Sequence, residues 1–62
     1  MSDSDIIKAS YEDLVGQVFD AFYNDAFVAK PSPSQLQQAE AKFRNGILRA
    51  REARDKAISL LP

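Results

Sequence analysis

The side chains of this 62-residue chain that could do chemistry are carboxylates, amines, guanidinium groups and hydroxyls, because the sequence contains neither histidine nor cysteine. Glu12, Asp13 and Asp20 fall on the polar side of a predicted helix. Carboxylates are solvated there, whereas general acid–base catalysis needs groups perturbed by burial or by neighbouring charges. We therefore expect no catalytic residue and no enzymatic activity.

Binding sites for metals and cofactors are not expected either. Structural zinc sites use cysteine and histidine, and dimetal sites in helix bundles use Glu-x-x-His pairs, which this chain lacks. Its only glycines, Gly16 and Gly46, stand far apart, so no glycine-rich phosphate loop is present.

Basic side chains recur along the C-terminal half and offer nucleic-acid binding as an alternative function. They form two rows on opposite flanks of a predicted second helix: Lys42, Arg49 and Lys56 on one, and Arg44 and Arg51 on the other. Such rows can contact phosphates. However, Glu52 and Asp55 lie between them, and no aromatic side chain is placed for base stacking. We expect solvated flanks that meet acidic side chains, and we do not expect nucleic acid to be the partner.

A proline-rich segment divides the chain into two helices. Pro31 and Pro33 cannot lie inside a helix, and Pro31 also moves Lys30 out of the right-handed helical region. Ser32 suits the N-cap of the next helix, and Gln35, three residues later, completes a capping box. The sequence thus predicts a first helix over about residues 4–29, capped by Ser4, and a second over about 33–60.

Apolar residues on the first helix repeat at steps of three and four, the helical period. One stripe, predicted to pack on the second helix, consists of Ile7, Tyr11, Leu14, Val18 and Phe22, and an adjacent stripe adds Val15, Phe19, Tyr23 and Phe27. The matching seam of the second helix is rich in alanine and includes Gly46. We therefore predict an all-α fold with one domain, residues 1–62, folded as an antiparallel two-helix hairpin.

The two halves carry opposite charge. Residues 1–31 have six acidic and two basic side chains, net −4, and residues 32–62 have six basic and three acidic ones, net +3. Opposite charges favour contacts between the halves, within one chain or between chains. Each exposed pair contributes only about 0–1 kcal/mol, so charge selects the arrangement more than it stabilises it.

One hairpin has a single internal interface, which leaves the second stripe uncovered. We predict that two copies pair into a four-helix bundle, and that a homodimer serves as scaffold, adaptor, chaperone or regulator. An amphipathic helix of another protein is the alternative occupant. The predicted interface residues are Val15, Phe19, Tyr23, Phe27, Gly46 and Arg54.

Two of these residues have competing interpretations. Gly46 costs about 1 kcal/mol of helix propensity relative to alanine. It either allows two helices to approach closely or is a tolerated surface glycine. Arg54 lies within the apolar sector of the second helix. Its stem can cover apolar surface while the charge reaches water, or it can pair with Asp5 or Glu12 of a second chain.

Neither the N-terminal residues nor any apolar run resembles a secretion signal or a membrane span. We expect a cytoplasmic protein with no membrane partner, and the lack of cysteine agrees with that compartment.

In length, in its two amphipathic helices and in its turn at Pro31–Ser34, the chain resembles small bacterial two-helix proteins. These are the ROP-type bundle and the needle subunits and needle co-chaperones of type III secretion. The resemblance implies the architecture and no functional residue.

Overall fold

In a computed structural model that describes residues 1–62, the chain forms two helical rods and no strand. Helix α1 spans Asp3–Tyr23 and continues through one π-helical turn, Asn24–Val28. Helix α2 spans Pro33–Ser59 and lies antiparallel to α1. The predicted all-α hairpin is confirmed.

The start of α1 differs from the prediction. Ser2, not Ser4, is the N-cap: its backbone is extended, and its Oγ accepts a hydrogen bond from the Asp5 N–H at 3.2 Å. Ser4 is already helical. Asp3 and Asp5 lie in the first turn, where the positive end of the helix dipole favours acids. The earlier cap lengthens α1 and keeps both aspartates in its first turn.

The last turn of α1 is wider than an α-helical turn. The Asn24 side chain donates to the carbonyl of Asp20 at 2.9 Å, and the Ala29 N–H donates to the carbonyl of Asn24, five residues back, at 2.9 Å. A π-helical turn places residues five apart on one side. Phe27 is therefore brought against Phe22, with ring centroids 6.0 Å apart.

The turn between the helices follows the predicted pattern. Lys30 leaves the right-handed helical region for the left-handed one, with φ 50°, and Pro31 prevents continuation. The predicted capping box of α2 is confirmed. The Gln35 N–H donates to Ser32 Oγ at 3.3 Å, and the Ser32 N–H donates to Gln35 Oε1 at 2.9 Å. Pro33 occupies the first turn of α2.

Large side chains of α1 pack on small ones of α2. A Cβ atom placed on Gly46 would lie 3.0 Å from the nearest Val18 methyl carbon, so the glycine allows the two helices to approach. A Cβ atom placed on Gly16 would have no other atom within 4 Å. The close-approach interpretation of Gly46 is thus confirmed, and the contact lies within one hairpin.

Leu14 is an exception to the predicted packing. It was expected to bury against α2, but 43% of it is exposed. Opposite Leu14, α2 presents Ala50 and Ala53, which together with Leu14 line a shallow recess. These alanines allow the helices to approach, but they are too short to cover a leucine.

The hairpin is one layer of two helices. Its Cα atoms extend 47 × 17 × 6 Å, so the molecule is one helix thick. Only Ala39 and Ala50 are buried, and no large side chain is fully buried. Folded domains normally enclose a core between two packed layers. A single layer covers its larger apolar side chains only in part.

Candidate protein interface

Five aromatic rings form a continuous cluster at the turn end of the hairpin. Phe19, Tyr23 and Phe27 follow one another at four-residue spacing on α1 and the π turn. Their rings stack with centroids 6.4 and 6.0 Å apart. Phe22 contacts Phe27 edge-on at 6.0 Å and Phe43 of α2 at 4.9 Å. We call these five residues the aromatic cluster.

Much of the cluster faces solvent. Phe19 is 53% exposed, Tyr23 50% and Phe27 66%. Their ring contacts are with each other and, for Phe27, with Phe22. Large apolar patches on a monomer surface usually mark interaction sites, and aromatic side chains dominate such interfaces. The sequence prediction placed Phe19, Tyr23 and Phe27 at an interface, and the structure brings all three together.

A groove adjoins the cluster on the α2 side. Its apolar part consists of Phe22, Phe43, Ile47 and Leu48, and its charged part of Glu40, Arg44 and Arg51. The volume is about 490 Å³. Phe22 and Phe43 belong to both the groove and the aromatic cluster, so the two are one continuous surface. We call the side of the hairpin that carries both the apolar face.

Val15 and Glu12 extend this face along α1. Val15 precedes Phe19 by four residues and Glu12 precedes it by seven, and both spacings return to the same side of a helix. Val15 is half-buried, whereas Glu12 is exposed. The apolar face therefore has an acidic residue on its α1 border and two arginines, Arg44 and Arg51, on its α2 side.

Arg54 has partners within its own hairpin. Its guanidinium carbon lies 4.4 Å from the centroid of the Tyr11 ring, a cation–π contact across the two helices. Its Nε donates to Asp55 Oδ1 at 3.0 Å, the one ion pair within the chain. The side chain is 29% exposed. Both contacts agree with a stem that covers apolar surface, and a contact to a second chain stays a prediction.

The basic residues do not form one surface. Arg44 and Arg51 line the groove of the apolar face. Arg49 and Lys56 line a separate depression that also contains Glu52 and Asp55. Lys42 lies near the turn, in a depression shared with Asp25. Each part of the row of Lys42, Arg49 and Lys56 therefore has acids beside it, which lowers its attraction for phosphates.

Sequence reasoning missed the groove as a unit. It assigned Phe22 to the stripe that packs on the second helix, assigned Arg44 and Arg51 to the nucleic-acid alternative, and passed over Leu48, which is 47% exposed. One signal was present. Leu48 follows Ile47 directly, so the apolar residues of α2 extend beyond the width of one seam at that level.

No group of three or more acidic side chains, cysteines or histidines is placed to hold a metal ion. Neither helix is both long enough and apolar enough to cross a membrane. No family model, curated protein or solved structure matches the chain.

Proposed function

We propose that this chain is a non-enzymatic protein-interaction module that works as a homodimer, in which two hairpins meet through their apolar faces to form a four-helix bundle. The observation that carries the proposal is the exposed stack of Phe19, Tyr23 and Phe27 on a hairpin that is one helix thick. In the cell such a dimer serves as a scaffold, adaptor, chaperone or small regulator, and we expect it to be cytoplasmic.

The first support for dimerisation is the absence of a core. Chains of this size are marginally stable even when they enclose one. Here only two alanines are buried, and the chain has no cysteine to form a disulfide. A second layer on the apolar face would cover the aromatic cluster, the half-buried Val15 and the groove residues Ile47 and Leu48 together. Folding and association would then be one process.

The second support is the size of the face. It measures 47 by 17 Å between Cα atoms, an area of about 800 Å², which is about what each partner contributes to a standard protein–protein interface. Its composition also fits, because aromatic residues and arginine are enriched in interfaces. Phe19, Tyr23 and Phe27 supply the aromatic part, and Arg44 and Arg51 supply the guanidinium groups.

The charges favour a second copy over an unrelated amphipathic helix. Each copy brings an acidic helix and a basic helix, with net charges of −4 and +3 for the two halves. Two such hairpins offer each other both charge complementarity and an apolar surface of equal size. Two-fold dimers are also the commonest oligomers of small proteins.

The test is thermal unfolding at two protein concentrations, monitored by circular dichroism at 222 nm. A folded dimer that separates on unfolding gains stability by mass action as concentration rises. Between about 2 and 200 μM we expect the midpoint to rise by about 10 °C, given the unfolding entropy typical of a bundle of this size. A midpoint that is the same at both concentrations would contradict the homodimer.

A further inference from the structure

We infer that the two hairpins of the dimer meet with their turns at the same end of the bundle, so that α1 of each copy lies against α2 of the other. This inference rests on the proposed homodimer and specifies its geometry. Two hairpins stacked through one face can obey two-fold symmetry in two ways. The axis runs along the bundle, or it crosses the bundle at right angles and places the turns at opposite ends.

Charge distinguishes the two arrangements. With the turns at the same end, the acidic α1 of each copy faces the basic α2 of the other. With the turns at opposite ends, α1 faces α1 and α2 faces α2, so helices of like charge meet along their whole length. The net charges of −4 and +3 for the two halves therefore favour the first arrangement. Like charges placed across an interface select against a wrong pairing.

The register of the hairpin identifies a specific pair. Val18 lies beside Gly46 and Tyr11 beside Arg54. Glu12 therefore stands at about the level of Arg51. When the axis runs along the bundle, the partner's α2 has the same height as this chain's own α2. Glu12 on the α1 border of the apolar face then comes opposite Arg51 of the second copy.

Neither charge of this pair is used within the hairpin. The one ion pair within the chain joins Arg54 to Asp55, and both Glu12 and Arg51 are exposed. In the opposite-ends arrangement Glu12 would face the partner's α1, which belongs to the half of net charge −4 and carries a second Glu12 on the same border. Arg51 would face the partner's α2, whose groove side carries Arg44 and a second Arg51. Glu12 and Arg51 each meet a residue of opposite charge only when the turns lie at the same end.

The aromatic cluster supports the same choice. All five rings lie at the turn end of the hairpin. Turns at the same end bring the two clusters together into one aromatic layer. Turns at opposite ends would instead place each cluster against the terminal half of the partner, where Arg54 takes up part of the seam over Tyr11.

The first part of the experiment measures distances between spin labels in the full-length dimer. The chain has no cysteine, so single variants Gln37→Cys and Ser59→Cys each carry one label per copy, near the turn and near the far end of α2. We expect both label pairs to lie within about 30 Å, roughly the width of a bundle whose helices pack 8–10 Å apart. With opposite ends, the 22 residues from position 37 to position 59 rise about 33 Å along the helix, so at least one of the two label pairs is separated along the bundle by about 33 Å or more.

The second part is a charge exchange, with the dissociation constant measured by sedimentation. Glu12→Arg and Arg51→Glu should each weaken the dimer about tenfold, because two symmetric pairs become repulsive, and the double variant should recover most of the loss. Arg49→Glu is the matched control. It makes the same charge change two residues away, on the flank opposite Arg51, and should leave the constant within about twofold.

The results separate the two proposals. Short distances for both labels, together with rescue in the double variant, support the inference. A stable dimer with a distance beyond about 33 Å for either label, or one that Arg51→Glu strengthens, overturns the same-end arrangement and leaves the homodimer standing. A chain that is monomeric throughout contradicts the homodimer itself and the inference with it.

Discussion

Replacing Phe19 with aspartate should dissociate the dimer, and at micromolar concentration it should unfold the chain. Phe19 begins the aromatic stack and is half-exposed in the hairpin, so a second copy in the proposed bundle would cover the remainder of its ring. Burying a phenylalanine contributes about 1.5–3 kcal/mol. The dimer contains two copies, and aspartate also brings a carboxylate into an apolar interface. We expect the dissociation constant to rise at least about a hundredfold.

The matched control for this variant is Gln17→Asp. Gln17 is exposed, lies two residues before Phe19 and therefore projects from a different side of α1. The Gln17→Asp substitution adds the same negative charge to α1 without changing the apolar face. Sedimentation and circular dichroism on both variants would show whether position or charge matters. A folded, dimeric Phe19→Asp protein, indistinguishable from the Gln17→Asp control, would mean that the interface lies elsewhere.

The same substitution at the two glycines should change stability in opposite directions. Gly46→Leu forces a side chain into space that Val18 already fills, and overpacking of this kind costs about 1–3 kcal/mol. Gly16→Leu meets nothing within 4 Å. It replaces a poor helix former with a good one, which should add about 0.5–1 kcal/mol.

Urea unfolding at one fixed protein concentration measures the difference, since the concentration itself affects the stability of a dimer. We expect Gly46→Leu to lower the midpoint and Gly16→Leu to raise it relative to the original chain. Equal midpoints for the two variants would contradict the close approach of α1 and α2 at Gly46.

The local features of the fold could be predicted from sequence because each depends on a few adjacent residues. The prolines at 31 and 33 are incompatible with a continuous helix, and the hydrogen bonds between Ser32 and Gln35 form within one turn. The prediction of Ser4 as the first cap was wrong, because Ser2 is the N-cap. Two serines at neighbouring positions compete for that role, and residue type alone does not rank them.

Other features depend on contacts between the helices and could not be predicted from a single helix pattern. The π turn begins at Asn24, whose side chain donates to the carbonyl of Asp20, and it aligns Phe27 with Phe22. The sequence is compatible with Gly46 in the seam between the helices or on the surface. Only the short distance between a Cβ at this position and the Val18 side chain shows that it lies in the seam. The groove likewise exists only because two helices bring Phe22 and Leu48 to one side.

Sedimentation equilibrium of the unmodified chain at micromolar concentration tests the homodimer most directly. The homodimer predicts a mass twice that of the 6.9 kDa chain. It also predicts that mass and helical content fall together on dilution. A helical species of 6.9 kDa, stable at every concentration, would show that one layer of two helices needs no second copy, and it would contradict the account.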